Sequence, residues 1–201
     1  MKKYELTDIT IEQSGVTLYR IRAVRAIKAL GIKKGDLGGY VEKGENLSQS
    51  GAAWISGNAS VSGDARVCCD AWISGAAWIS GNASVCGDAR VCGDASVYGN
   101  ARVYGNARVC GDASVSGNAR VYGNASVSGD ADIIWCSKIG SRLDTTTAFI
   151  EKDGGVKIVC GCFCGMLNEF ERKVEETHGD NIYGKEYKAF IELIKIHFGK
   201  V

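Results

Sequence analysis

Residues 93 to 128 read GDASVY GNARVY GNARVC GDASVS GNARVY GNASVS, and this strict division into sixes decides the fold. Within each six, Gly and then Asn or Asp come first, alanine is third and valine is fifth. The period continues on both sides, with alanine at every sixth position from Ala53 to Ala131 and Val or Ile two residues after each alanine. Fourteen units therefore follow one another in register, and Cys69 alone stands where the others open with glycine.

The alternation inside a unit predicts a short strand, because alternate side chains of a strand face the same way. The alanine and the branched residue then point inward together, while the residues on either side of the branched residue point outward. Gly with Asn or Asp supplies the bend, since these residues enter the left-handed backbone region most easily. Three bends close a coil of eighteen residues, so the pattern predicts a mainly β fold, a left-handed parallel β-helix. A right-handed β-helix with irregular coils is the alternative.

Stacking of such coils predicts that residues eighteen apart form columns on three outer faces. The first, here called the tryptophan–arginine face, carries Trp54, Trp72, Arg90 and Arg108, with Cys92 and Cys110 beside them. The second, the arginine–tyrosine face, carries Arg66, Arg102, Arg120, Tyr104 and Tyr122, with Cys68 and Cys86. The third, the serine face, carries Trp78 and Tyr98 among serines. Because the interior is filled, any binding site is expected on a face, at an end or between subunits.

Three tryptophans, Trp54, Trp72 and Trp78, fall within the first two predicted coils. Large aromatic side chains on an outer wall usually have something that covers them. We expect the N-terminal unit to provide the cover, and a protein partner or a second subunit is the alternative.

The six-residue period divides the chain into three segments. Residues 1–50 lack the period and form a predicted β cap, with short strands at 4–7 and 16–21 and a turn-rich loop at 34–39. Residues 51–134 form the repeat. Residues 135–201 form a predicted small α+β domain, in which a hairpin of 145–151 and 156–162 precedes amphipathic helices at about 166–177 and 185–198.

Composition limits the classes of partner and compartment. The formal net charge of +1 gives no bulk attraction to nucleic acid or to an anionic membrane. No apolar run approaches the ~20 residues of a membrane-spanning helix, and the N-terminus lacks the apolar core of a signal peptide, so we expect a cytoplasmic protein. The nine cysteines are odd in number and many lie inside the repeat, which favours reduced thiols over a disulfide scaffold.

The tail holds the candidate reactive side chains. Cys160, Cys162 and Cys164 alternate along a predicted strand, so the three thiols could join His178 or Cys136 around a tetrahedral zinc ion. The Cys-x-Cys spacing differs from the usual Cys-x2-Cys zinc knuckle, so idle thiols are the simpler interpretation and redox chemistry is a third. We expect no bound metal and no cofactor. His197 is interpreted as a partly packed residue near a helix end.

A resemblance to a known family rests on the run Gly35-Asp36-Leu37-Gly38-Gly39-Tyr40-Val41, on Asn46-Leu47-Ser48 and on the units that follow. Together they resemble the YdcK-type hexapeptide-repeat proteins of bacteria and tailed phages, over about residues 1–134. The tail is similar to a module of phage and prophage proteins. The resemblance implies the β-helix, and some relatives with this fold are coenzyme A-dependent acyltransferases that use a histidine base. Residues 51–132 contain no histidine, so the resemblance transfers a fold and no catalytic residue.

These observations favour a non-enzymatic binding or assembly module of phage or prophage origin, which could interfere with a host defence system through protein contacts. The predicted binding surface comprises Arg66, Arg102, Tyr104, Arg120, Tyr122, Trp54, Trp72 and Trp78. A protein partner is expected, a homo-oligomer is compatible with the pattern, and no catalytic residue is assigned. The same Arg and Tyr columns could instead bind a nucleic acid or a nucleotide, although seven aspartates outnumber five arginines in the repeat. Mimicry of DNA by the aspartates and binding to a crystal surface are weaker interpretations.

The alternative function is a hexapeptide acyltransferase that uses coenzyme A in a trimer. Acyl transfer needs a base, and His178 of the tail is the candidate if the protein is an enzyme.

Overall fold

A computed structural model describes residues 2–199 and shows a three-sided parallel β-solenoid with a β unit at one end and an α+β unit at the other. The solenoid is built from thirteen strands of two residues each, β4 to β16. They are Trp54–Ile55, Ser60–Val61, Arg66–Val67, Trp72–Ile73, Trp78–Ile79, Ser84–Val85, Arg90–Val91, Ser96–Val97, Arg102–Val103, Arg108–Val109, Ser114–Val115, Arg120–Val121 and Ser126–Val127.

Each strand pairs in parallel with the strand one coil away, which confirms the predicted eighteen-residue coil. Arg102 is the register partner of Arg120, and Val103 is the partner of Val121. The five strands of the tryptophan–arginine face stack in the order β16-β13-β10-β7-β4, and the four strands of the arginine–tyrosine face in the order β15-β12-β9-β6. The columns deduced from the sequence are therefore the columns of the structure.

The repeated alanines from Ala53 to Ala125 and the branched residues from Ile55 to Val127 fill one continuous core, in which these side chains are at most 1% exposed. The corner glycines have positive φ, as at Gly87 with φ +77°. A Cβ added there would lie 2.9 Å from the backbone nitrogen of Gly105 in the next coil, so both the left-handed turn and the close stacking favour glycine, and Cys69 is the one exception among the corners of β4 to β16.

The N-terminal residues continue the serine face. Strands β1 (Tyr4–Gln13) and β2 (Val16–Ala23) form an antiparallel hairpin, and β3 (Leu37–Val41) pairs antiparallel with β2 and parallel with β5. The serine face is therefore part of a seven-stranded sheet, β1-β2-β3-β5-β8-β11-β14. Gly38 approaches the first coil so closely that an added Cβ would lie 2.6 Å from the carbonyl oxygen of Ile55.

Two buried polar side chains satisfy the open edge of the first coil. The Asn46 amide donates to the carbonyl oxygens of Gly63 at 3.0 Å and Ala65 at 2.9 Å. The Lys3 Nζ donates to the carbonyl oxygen of Ala53 at 2.8 Å. Burial, together with the positive charge of Arg25, lowers the pKa of Lys3 from 10.5 to about 8, although the charge of Asp70 opposes this.

The fourteenth unit does not continue the solenoid, contrary to the sequence-based count. Ala131 is exposed within a short 3-10 helix, Asp130–Asp132, and Ile133 opens a strand of the tail. The Asp132 carboxylate accepts the backbone N–H of Ser128 at 2.7 Å, and Gly129 lacks the positive φ of the other corners. A local carboxylate cap therefore replaces the corner, and the regular coils end near residue 128.

The tail forms a four-stranded antiparallel sheet and two helices. The strands are β17 (Ile133–Ile139), β18 (Asp144–Ile150), β19 (Val156–Cys160) and β20 (Phe163–Met166), and the helices are α1 (Leu167–His178) and α2 (Ile182–His197). The predicted hairpin corresponds to β18 and β19, whereas β17 and β20 were not predicted as separate strands. A second core joins this sheet to the helices through Ile158, Phe170, Val174, Phe190 and Ile194.

The tail sheet also closes the last coil of the solenoid. Phe149 and Val159 belong to the same continuous core as the repeat. The backbone N–H of Arg120 donates to the Thr147 hydroxyl at 3.1 Å, and Ala125 forms an isolated antiparallel bridge with Glu151. No helix within residues 2–199 has the length and apolar character needed to cross a membrane.

Two disulfides join neighbouring coils, where the sequence had favoured reduced thiols. Cys68 bonds to Cys86 and Cys92 bonds to Cys110, with Cα–Cα distances of 4.8 and 4.6 Å. Each pair is separated by 18 residues, so the coil repeat itself brings the partners together. The odd cysteine count alone could not reveal which cysteines are paired.

Candidate functional site

The arginine–tyrosine face presents a continuous patch formed by Arg102, Tyr104, Arg120 and Tyr122. The rings of Tyr104 and Tyr122 stack with centroids 5.4 Å apart and planes 24° from parallel. Each arginine lies two residues before its tyrosine and points out from the same strand side. Both rings are half-buried, and burial is the main cause that raises the pKa of Tyr122.

The end of this face near the N-terminal unit and the end near the tail differ in their surroundings. Arg66 and Arg102 are exposed, and within residues 2–199 neither has a carboxylate at ion-pair distance. Arg120 is half-buried and its guanidinium lies 3.8 Å from the Asp144 carboxylate of the tail. Among residues 2–199, the face therefore offers two guanidinium groups without ion pairs, those of Arg66 and Arg102. At Arg120 it ends against the tail domain.

The structure removes Trp54 from the predicted binding surface. Its side chain is 0% exposed and belongs to the same buried cluster as Tyr4, Ile21 and Ile27 of the N-terminal unit. Trp72, one rung further, is half-buried, and its indole N–H donates to the Ser56 hydroxyl at 3.0 Å. Only the first tryptophan is therefore enclosed with the N-terminal unit.

Trp72 and Trp78, both half-buried, are each paired with a side chain on the same face. The Arg90 guanidinium lies 5.7 Å from the ring centroid of Trp72 on the tryptophan–arginine face. Trp78 stacks on Tyr98 of the serine face, with centroids 6.4 Å apart. These pairs separate Trp72 and Trp78 onto two different faces, so the tryptophans do not form one patch.

The three tail thiols are not brought together on one face. Cys160 ends β19, Cys162 lies in the turn that follows, and Cys164 lies on β20 opposite Val159. Gly161 has φ +58°, and this turn interrupts the single strand that the sequence predicted. The Cys160 thiol instead accepts a hydrogen bond from Thr146 at 3.1 Å. The predicted zinc set of these cysteines with His178 is therefore not assembled.

His178 lies at a cavity of about 330 Å³ in the tail, whose lining includes Arg142, Cys160, Phe163, Phe170, Lys173, His178 and Tyr187. The His178 ring packs near Tyr187 with centroids 5.6 Å apart and near Tyr183 at 6.1 Å. The Cys160 thiol donates to the Tyr187 hydroxyl at 3.6 Å, and burial, followed by this contact, raises the pKa of Tyr187. His178 therefore sits in an aromatic setting within its own domain.

A larger cavity of about 790 Å³ lies between the last coils and the β18–β19 turn. Its lining includes Arg108, Ser126, Glu151, Lys152 and Asp153. Both signs of charge are present, so the cavity shows no preference for one kind of ligand.

One group of side chains was missed in the sequence-based list of sites. Cys68, Cys69 and Cys86 have sulfur atoms within 4.8 Å of one another, and they form the one group of three potential metal ligands found in residues 2–199. The available signal was Cys69 itself, which replaces the corner glycine of its unit.

Comparison with known proteins bears on the repeat. Three overlapping segments, residues 95–111, 101–117 and 113–129, match the family model described as the YdcK Beta solenoid repeat. No curated protein shows a significant match to the chain. The matched segments coincide with the most regular coils, between β11 and β16. The chain therefore carries the YdcK β-solenoid repeat within its central β-helix.

Proposed function

We propose that the protein is a non-enzymatic binding module, in which the solenoid is a rigid platform and the arginine–tyrosine face contacts a protein partner. The observation that carries this proposal is the stacked pair of Tyr104 and Tyr122 beside the guanidinium group of Arg102, which is exposed and has no ion-pair partner among residues 2–199. Tyr and Arg, together with Trp, are enriched among the residues that contribute most binding energy at protein interfaces.

The platform is rigid because every rung is held by its neighbours. The backbone N–H of Arg102 donates to the Ala119 carbonyl at 3.0 Å, and that of Tyr104 donates to the Val121 carbonyl at 2.9 Å. Side chains on such a ladder lose little backbone entropy when a partner binds. A partner of complementary chemistry would present carboxylates to Arg66 and Arg102 and an apolar group to the tyrosine rings.

The resemblance to phage and prophage proteins leads us to place this contact in infected or lysogenic cells, with a component of host defence as the partner. The tail would add further contacts or self-association. Ile182, Leu193 and Ile196 of α2 support that role, since these large apolar side chains are 65%, 48% and 67% exposed.

Acyl transfer from coenzyme A in a trimer remains the alternative, and it needs His178 to act on a neighbouring subunit. Calorimetric titration with acetyl-coenzyme A separates the two functions. We expect no heat of binding and no thermal stabilisation, whereas saturable binding would favour the enzyme.

The binding proposal is tested with substitutions that introduce residues found at the equivalent positions of other repeat units. Arg102→Ser with Tyr104→Ser removes one of the two rungs of the patch and introduces residues that other units carry at these places. Tyr98→Ser makes the matched change on the serine face. Affinity capture from phage-infected host cells should yield a protein that binds the natural chain and the Tyr98→Ser variant.

The double variant should bind that protein at least about thirtyfold more weakly. Unchanged binding of the captured protein to the double variant, or an equal loss of binding to Tyr98→Ser, would contradict a role for the arginine–tyrosine face.

A further inference from the structure

Three sulfur atoms lie close together at a corner beside β6 and β9, the strands of the arginine–tyrosine face nearest the N-terminal unit. Cys68 is bonded to Cys86 of the next coil, and the free Cys69 thiol lies 3.8 Å from the Cys68 sulfur. Cys86 is buried, Cys68 is half-buried and Cys69 is exposed, so the group opens to solvent on one side. All three sulfurs lie within 4.8 Å of one another.

The backbone at Cys69 shows that a thiol occupies this corner against local conformational preference. Its φ is +59°, in the left-handed region that the equivalent glycines of other coils adopt. A side chain with a Cβ is strained in that region. The substitution places a third sulfur next to two others, which no other corner of the repeat does.

The backbone ladder holds the cysteines in place without help from the disulfide. The Cys68 N–H donates to the Val85 carbonyl and the Cys86 N–H donates to the Val103 carbonyl, both at 3.0 Å. Parallel pairing of β6 with β9 fixes the register of the two coils. Reduction would therefore leave the two thiols stacked one coil apart, beside Cys69.

We propose that Cys68, Cys69 and Cys86 in their reduced form bind a thiophilic d10 cation, Zn²⁺ or Cu⁺, through three thiolates. Zinc–sulfur bonds of ~2.3 Å place the sulfurs of a tetrahedral site about 3.8 Å apart, which the Cys69–Cys68 distance already matches. Thiolate ligands select these cations over Mg²⁺ and Ca²⁺. The exposed side of the group leaves a coordination position for water or an outside ligand.

A dithiol reductant must open the Cys68–Cys86 disulfide before the cation can bind. The reductant transfers two electrons to the Cys68–Cys86 bond and becomes a disulfide itself, which yields two cysteine thiols. Binding of the cation then displaces the three thiol protons to solvent. The oxidised chain cannot offer three thiolates, so metal binding and the disulfide exclude one another.

The test uses the full chain, reduced under anaerobic conditions, in titrations with Zn²⁺ and separately with Cu⁺ against a competing chelator. Cys69→Gly is the decisive variant because glycine is the residue that the other corners carry, so the fold is retained. Cys92→Ser is a matched control on the other disulfide, and a triple Cys160→Ser, Cys162→Ser, Cys164→Ser variant controls for the tail thiols.

We expect one bound cation per chain for at least one of the two metals. Its affinity should fall more than ~100-fold in Cys69→Gly, since loss of a ligand costs more than loss of an outer partner. The affinity should be unchanged in both controls, and the oxidised protein should not bind the cation. Binding that survives Cys69→Gly, binding that disappears with the tail variant, equal binding to the oxidised chain, or no stoichiometric binding would each overturn the proposal.

Discussion

Trp54 and Trp72 are register partners on adjacent rungs of one face, yet Trp54 is completely buried whereas Trp72 is half exposed. The difference arises at the N-terminal end, where Tyr4, Ile21 and Ile27 enclose the first rung in a common core. The same sequence element, an outward tryptophan before isoleucine, is thus a core residue or a surface residue according to what lies above it.

Deletion of residues 1–45 should therefore expose the Trp54 ring and cause self-association. The measurement is tryptophan fluorescence, which should shift to longer wavelength, together with light scattering. Deletion of residues 111–128 is the matched control, because it removes one whole coil and keeps the register. A soluble monomer with unshifted fluorescence after the N-terminal deletion would show that residues 1–45 are not a cap.

Neighbouring residues of one rung should differ sharply in their effect on stability. Val103 is fully buried and Arg102 is exposed. We expect Val103→Ala to lower the free energy of unfolding by about 2 kcal/mol, through lost burial and a residual cavity. Arg102→Ser should change it by less than about 0.5 kcal/mol. Denaturant unfolding measures both, and equal effects would contradict the inward and outward assignment.

The corner column at Cys69 and Gly87 provides a second stability test. Cys69→Gly should raise the free energy of unfolding by about 1 kcal/mol when measured in reductant, because it relieves a left-handed residue. Gly87→Ala should lower it by more than about 1 kcal/mol, since the new Cβ meets the backbone of Gly105. Opposite signs are expected in thermal unfolding, and a destabilised Cys69→Gly would show that the cysteine fits this corner without strain.

Lys3 predicts a pH dependence of stability. Its pKa is about 8 in the folded chain, below the ordinary 10.5, because burial disfavours the ammonium form. Between these pH values the unfolded chain binds more protons, so stability should rise with pH. Relative to Lys3→Met, the natural chain should gain on the order of 2 kcal/mol from pH 8 to 10.5. The gain should be lost again as pH falls from 10.5 to 8, with little further change below 8, and a flat difference between the two chains from pH 8 to 10.5 would refute the assignment.

The repeat was predictable because its period specifies both the inward residues and their neighbours one coil away. The columns containing Arg102 with Arg120 and Cys92 with Cys110 follow from that count alone. The sequence count wrongly places Ala131 inside the solenoid, because its unit has glycine, aspartate, alanine and isoleucine at the repeat positions. The cap formed by the Asp132 carboxylate, which diverts the chain, depends on three-dimensional geometry.

The tail could be predicted only in part, since it has no period. Its helices and central hairpin carry strong local patterns, but β17 contains Trp135, Cys136, Ser137 and Lys138, which do not alternate in polarity. The thiols from Cys160 to Cys164 were assigned to one strand because the turn at Gly161 has no marker other than that glycine. Cys68 and Cys86 share a column that the eighteen-residue count predicts, whereas the approach of Cys69 to them depends on the left-handed backbone at its corner.

Peptide mapping of the disulfides tests the eighteen-residue coil most directly. After mild oxidation, alkylation and tryptic digestion, Cys92 lies in the peptide 91–102 and Cys110 in the peptide 109–120. The stacked coils predict that mass spectrometry finds these two peptides joined, because their cysteine Cα atoms are 4.6 Å apart. Linkage of Cys92 to Cys86 or to a tail cysteine, or failure of the pair to oxidise at all, would contradict the triangular solenoid.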